Sequence, residues 1–304
     1  MELWIPITIA AAFMQNLRSA LQKHLKGRLS TGGATYSRFL YAAPFALIYL
    51  LVLLHVFDFE LPNANLRFIA FGAAGGVAQI LGTFLLVHLF SYRNFAVGNA
   101  YSKTETVQTA VFGIIVLGDT IPAWIGGAIF VALCGVMVLS VSKDKVTVKN
   151  LLTGWTDRGA LIGILSGTMF GGSAVLYRAS SLSLGGEGFL VQSSFTLACV
   201  TVFQAVLMGC YLRIKEPGEF SNVLRAWRVA GLVGICGMLG SAGWFTAMTI
   251  QNAAYVRALG QIELVFTFIA SVVIFRERSN RTEIIGILLI VSGILLLLLS
   301  RPDS

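Results

Sequence analysis

Long apolar runs, broken by short clusters of charge, proline or paired polar residues, account for nearly the whole chain. Cutting at those interruptions gives ten segments: Leu3 to Leu25, Gly33 to His55, Arg67 to Phe90, Phe95 to Leu117, Ile121 to Val141, Ala160 to Ser180, Gly188 to Leu212, Val229 to Ile250, Ala254 to Phe275 and Glu283 to Ser300. As helix, each is long enough to cross about 30 Å of hydrocarbon at about 1.5 Å per residue. In hydrocarbon a helix satisfies its own backbone polar groups, and no stretch alternates with the period of two that a barrel needs. The pattern predicts an all-α integral membrane protein with ten transmembrane helices.

The hydrophilic stretch from Ser142 to Gly159 divides these segments equally. Sliding the first half by 158 residues brings Gly76 onto Gly234, Gly82 onto Gly240, Asn94 onto Asn252, Glu105 onto Glu263, Thr109 onto Thr267 and Gly135 onto Gly293, with Asp119 on Glu277. At a slightly different offset Lys23 meets Arg178. Glycine matches arise by chance in a chain with 32 glycines, but two rare intramembrane glutamates in register are poorly explained that way. The expected organisation is therefore a five-helix repeat over residues 3–141, a polar linker over 142–159, and a second repeat over 160–300. An odd number of spans per repeat makes the second copy enter from the opposite side. Inverted repeats place a binding site at their interface near the midplane and make alternating access the default mechanism.

With 304 residues, 56% hydrophobic and 12% charged, at a mean hydropathy of +0.81, no soluble domain fits beside ten spans. The net charge of +8 sits in membrane-flanking loops, where it sets orientation and meets anionic lipid, so no nucleic-acid partner is expected. Loops after odd-numbered segments hold the cations, Lys26 and Arg28 in the first and Lys143, Lys145, Lys149 and Arg158 in the third of them. Those after even-numbered segments hold Asp58, Glu60, Asp119 and Glu187, which puts both termini outside by the positive-inside rule. The first run opens at Leu3 without a basic leader and does not read as a cleaved signal. Cys134, Cys199, Cys210 and Cys236 lie in apolar runs, where a disulfide framework has no loop to staple.

In the second half, the run Gln261-Ile262-Glu263-Leu264-Val265-Phe266, the cluster Phe275-Arg276-Glu277-Arg278, and Gly286 and Gly293 resemble the EamA-type repeat of the drug/metabolite transporter superfamily. The first half resembles it more loosely through Glu105-Thr106-Val107 and Gly118-Asp119. The resemblance covers nearly the whole chain and implies a multi-pass carrier of small metabolites in the cell (inner) membrane, often an exporter. The chain departs from the family's pattern where Thr106 and Leu264 replace the proline after each glutamate, which removes the usual cause of a kink, and where Asp119 replaces the first repeat's later glutamate. The family is usually described with cytoplasmic termini, against the loop count.

Glu105 and Glu263 lie near the centres of their segments. An ionised group there is costly unless it takes a proton or meets a cation, and either behaviour suits a coupled carrier. The plainer alternative is a fixed salt bridge to Lys103 or Arg257 that staples helices; Lys103 and Glu105 are two residues apart, project from different faces and are not natural partners. Arg18, Lys103 and Arg257 outnumber the two glutamates, and if they share a cavity a carboxylate- or phosphate-bearing metabolite is a suitable substrate. Arg38 and Arg178 are expected to snorkel from span ends. Gln15, Arg18, Ser19 and Gln22 share one inward helical face. Gln79, Tyr101 and Gln108 are deep enough to line a cavity, with Trp244 and Gln261 as further contacts. Glycines at every third position from Gly231 to Gly243, and at every fourth from Gly163 to Gly171, read as close helix packing that supports motion. Asp119 and Glu277 read as helix-end groups that cap or pair with cations such as Arg276 and Arg278.

No phosphate-binding loop, metal-ligand spacing or serine-nucleophile motif occurs, so an ATP-driven pump and a membrane-embedded enzyme are disfavoured, and no cofactor or metal is expected. The sequence thus predicts a secondary transporter of a small polar metabolite, an amino acid or another carboxylate being candidates. Proton-coupled export and proton-independent exchange both stay open, a channel is less favoured, and a monomer is the simplest assembly.

Overall fold

A computed structural model describes residues 2–89, 91, 101–143, 158–186, 188–273 and 281–299. Among these residues the chain is helical: α1 (Trp4–Leu25), α2 (Thr31–His55), α3 (Leu66–Leu89), α4 (Glu105–Leu117), α5 (Ala123–Lys143), α6 (Arg158–Ser183), α7 (Phe189–Lys215), α8 (Glu219–Arg225), α9 (Trp227–Ile250), α10 (Ala253–Gly260), α11 (Ile262–Val273) and α12 (Arg281–Leu299). Among them α2, α3, α6, α7 and α9 are long and apolar enough to cross a membrane. Shorter apolar helices run over Glu105–Leu117, Ala123–Val138 and Ile284–Leu299. Helix α1 is as long as the spans, but its second half carries Gln15, Asn16, Arg18, Gln22 and Lys23.

The fourth and ninth apolar segments do not run as continuous helices. The fourth turns at Lys103 and Thr104 before α4 begins, and the ninth turns at Gln261 between α10 and α11. Neither break uses proline. At the first, the Thr104 hydroxyl donates to the Tyr101 carbonyl at 2.6 Å, a local bond that competes with helix continuation. At the second, a Cβ on Gly260 would lie 2.5 Å from the Trp244 ring, so the missing side chain admits the indole against the backbone. Each break stands just before a glutamate, Glu105 at the first position of α4 and Glu263 at the second of α11.

The most extensive packing joins one half of the chain to the other: α3 with α6, α1 with α9, α5 with α12, α2 with α7 and α9, and α4 with α6. A shift of 158 residues, the offset at which the sequence matches itself, carries α3 onto α9 and α1 onto α6, and so the pair α3–α6 onto α9–α1. Glycines permit the closest of these approaches. A Cβ on Gly135 would stand 2.6 Å from the Ile290 nitrogen and 2.7 Å from the Gly286 carbonyl, and one on Gly293 would stand 2.7 Å from the Ala132 nitrogen and 2.8 Å from the Ala128 carbonyl. On α6, a Cβ on Gly167 would meet the Ser102 carbonyl at 2.8 Å, and one on Gly171 the Glu105 carbonyl at 3.1 Å, so these two glycines seat the broken fourth segment.

Polar contacts fix several helix ends. Ser30 caps α2 by accepting from the Gly33 amide at 2.9 Å, and is itself held by Glu216 and Glu219, its amide donating to Glu219 at 2.5 Å. Arg178 does not snorkel. Its Nη1 donates to the Met248 carbonyl at 2.5 Å and to the Gln251 carbonyl, closing the C-terminal end of α9 against α6. Arg178→Ala removes charge-assisted bonds worth about 1.5–3 kcal/mol each, and thermal unfolding of the purified variant in detergent is expected to show that loss; an unchanged Tm would contradict this account of the α9 terminus.

Candidate functional site

A cavity of about 250 Å³ opens between the two halves, where α1, α2, α3, α6 and α9 surround the two helix breaks. Both intramembrane glutamates lie on its wall. Their partners are crossed. Lys103, from the first break, pairs with Glu263 of the second half, and Arg257, on α10, lies 3.5 Å from Glu105 of the first half. All four side chains line the cavity, so the pairs face an open space instead of a packed core.

Around this square of charge the wall is polar. Gln15 donates to the Glu263 carboxylate at 2.9 Å, and Asn16 to the Glu263 backbone carbonyl at 3.0 Å. The Arg257 guanidinium stands 4.8 Å from the Trp244 ring centroid, a distance suited to cation–π attraction. Tyr177 donates to Gln79 at 2.9 Å, and Gln204 braces both from behind, reaching Tyr177 at 3.0 Å and the Gly76 carbonyl at 3.0 Å. A second groove of about 270 Å³ between α3 and α7 is walled by Phe68, Ile69, Val200 and Phe203 and has no charged lining, so it offers a polar solute nothing.

Of the residues singled out from the sequence, the structure brings Gln15, Arg18, Gln79, Lys103, Glu105, Trp244, Arg257 and Glu263 together on this wall. Three others stand away from it. Tyr101 is 1% exposed and packs with Ala160, Met137 and Ile164. The Gln108 carbonyl oxygen is buried without a partner, close to Gly167. Gln261 donates to Thr106 at 2.7 Å, tying one helix break to the other. That bond gives Thr106 a role at a position where proline would have supplied no donor or acceptor side chain.

Arg38 corrects the snorkelling expectation. It is 4% exposed, lines the cavity, and donates to the Thr83 hydroxyl at 2.8 Å. Its inward course was marked by Ala34 and Ala42, one helical turn to either side on the same face, both buried. Asn16, Lys23 and Tyr177 also line the wall. Asp119 forms no ion pair among the described residues: its amide donates to the Gly113 carbonyl at 3.2 Å behind the left-handed Gly118, while its Oδ2 is buried without a partner. The backbone, not the carboxylate, ends α4 there. Glu277, Arg276 and Arg278 lie outside the described residues. Among the described residues no cluster of acidic, histidine or cysteine side chains is arranged to hold a metal.

Membrane-length helices around a charged cavity define a multi-pass membrane protein. Residues 157–299 match the model of the EamA-like transporter family. A crystal structure whose description names no function superposes with a TM-score of 0.74 over 99% of both chains at 15% identity, a likeness of fold. A search of curated proteins finds no match.

Proposed function

We propose that the protein is a secondary active carrier that moves a small polar metabolite across the inner membrane by alternating access, as a monomer, in the direction of export and driven by protons. The observation that carries this reading is the pair of crossed ion contacts on the wall of one cavity. A proton on Glu263 removes the charge that holds Lys103, and a proton on Glu105 does the same for Arg257, so protonation loosens contacts between the halves. Gln15, Arg18, Gln79 and Trp244 are the substrate-facing groups in this scheme, and Tyr101, Gln108 and Gln261 support the fold around them.

Two inverted five-helix repeats, over 3–141 and 160–300, supply the motion. The exchange symmetry of the helix pairs and the reciprocal seats of Gly135 and Gly293 support that organisation. Ser19 and Lys23, on the last two turns of α1, extend the cavity lining away from the helix breaks. Salt bridges acting only as staples belong in packed surroundings; here they border a space large enough for a small solute. Proton-independent exchange of two metabolites uses the same cavity and differs only in what resets it.

The test is counterflow. A substrate is first identified by comparing metabolites retained by cells lacking and overproducing the protein. Proteoliposomes loaded with that substrate should then accumulate its labelled form transiently above equilibrium. A flux that never exceeds equilibrium would mark a pore and overturn the carrier.

A further inference from the structure

Once the two glutamates are paired, the cavity still holds uncompensated positive charge. Besides Lys103 and Arg257, which face the carboxylates Glu263 and Glu105, Arg18 and Arg38 line it as well. The excess is concentrated at one place. Arg18 from α1 and Arg38 from α2 converge over Gly237 of α9, where a Cβ would lie 3.5 Å from Arg18 Cδ and 3.4 Å from Arg38 Cγ. Each is 4% exposed. Neither takes part in the ion pairs of Lys103 and Arg257; Arg18 Nε is buried without a hydrogen-bond partner, and Arg38 has the neutral hydroxyl of Thr83. Two buried guanidinium groups on the wall of one cavity repel one another and forfeit hydration, a cost that an anion bound to both reverses.

We propose that Arg18 and Arg38 form an anion subsite, and that the transported metabolite bears a net negative charge whose carboxylate or phosphate group seats between them. The planar forks of two arginines match the oxygens of either group, and bidentate contact supplies geometry as well as charge. A void of about 10 Å³ beside Arg38, Gln79 and Gln204, about the volume of one water, adds a place for a bridging solvent molecule. One part of the cavity's wall, Phe170, Trp244, Phe245 and Met248, is apolar and suits a short carbon skeleton. An ammonium group finds no free counter-charge, since both carboxylates already hold cations. This inference rests on the carrier reading for its word "transported", but the subsite itself stands on the arginines alone.

The test uses purified full-length protein in detergent. Thermal stability is followed against inorganic phosphate, succinate, citrate and glycerol 3-phosphate, each beside an uncharged analogue such as succinamide or glycerol, and against a primary amine, with sodium chloride matching ionic strength. At least one anion should raise the Tm in a saturable way while its neutral analogue and the amine do not, and Arg18→Gln should weaken that binding by about tenfold or more. Gly237→Leu, which fills the floor beneath both arginines, should abolish the shift. The phosphate and carboxylate arms decide which oxyanion is preferred. Equal shifts from anions and their neutral analogues, a shift with the amine alone, or no shift with any anion would overturn the proposal, and these comparisons need no variant to fold. Anion binding without counterflow sinks the carrier and leaves the subsite. Counterflow of a neutral or cationic solute overturns the claim that the transported metabolite is an anion and leaves the carrier.

Discussion

Glu263→Gln abolishes proton-dependent transport, by about a hundredfold or more, whereas Asp119→Asn leaves it within about twofold of the native rate. The two acids look alike as motif residues but differ in surroundings. Glu263 accepts from Gln15 at 2.9 Å and holds Lys103 on the cavity wall. The glutamine isostere keeps the volume and loses both the charge and the proton-binding group. It leaves Lys103 buried beside another donor, and stranding one member of a buried ion pair costs about 3–5 kcal/mol. Glu105 is the gentler site, because Arg257 retains the Trp244 ring when its carboxylate is lost. Asp119 lines no part of the cavity and pairs with no cation among the described residues, so its charge has nothing to drive. The measurement is initial flux in proteoliposomes with and without an imposed pH gradient. Equal, near-normal gradient response in both variants would falsify the coupling role.

Gly135→Leu and Gly293→Leu each destabilise the protein by about 3 kcal/mol, lowering the Tm by about 5 °C or more. The reason lies in the reciprocal contact of α5 with α12. At both positions even a bare Cβ falls 2.6–2.8 Å from backbone atoms of the facing helix, which cannot move aside as a flexible side chain would. Restoring normal separation means parting the two helices along their whole seam, with loss of the dispersion contacts that drive helix association in lipid. Because both substitutions open the same seam, the double variant should lose less than the sum of the two. Gly231→Leu is the control, since a Cβ there has nothing within 4 Å. Thermal unfolding in detergent reads all four proteins, and an equal, small effect of Gly231→Leu and Gly293→Leu would contradict the packing argument.

Apolar run length made the helices and most of their limits readable from the chain, and α2, α3, α6, α7 and α9 differ from the expected segments by only a few residues at either end. The breaks were not readable. Thr104 and Gly260 are ordinary within a membrane helix, and only their neighbours in space, the Tyr101 carbonyl and the Trp244 ring, make them turning points. The lining of the cavity was legible where charge is rare in hydrocarbon, as for Glu105, Glu263, Arg18, Lys103 and Arg257. It was misread at Arg38 and Arg178, where nearness to a span end suggested escape to headgroups. Thr83 and the α9 carbonyls hold those two inside, and such partners lie on other helices. Tyr101 and Gln108 misled for the opposite reason, since depth in a span does not say which way a side chain points.

Alternation of one chamber between the two membrane faces can be watched at Ser241, which lines the cavity on α9. A single cysteine at position 241, placed in a background without Cys134, Cys199, Cys210 and Cys236, is exposed to a membrane-impermeant thiol reagent from each side of oriented vesicles. Labelling is expected from both sides, with substrate and acid pH shifting the balance between them and Glu263→Gln trapping access on one side. Labelling from one face only under every condition, or from neither while a lipid-soluble reagent still reacts, would contradict it.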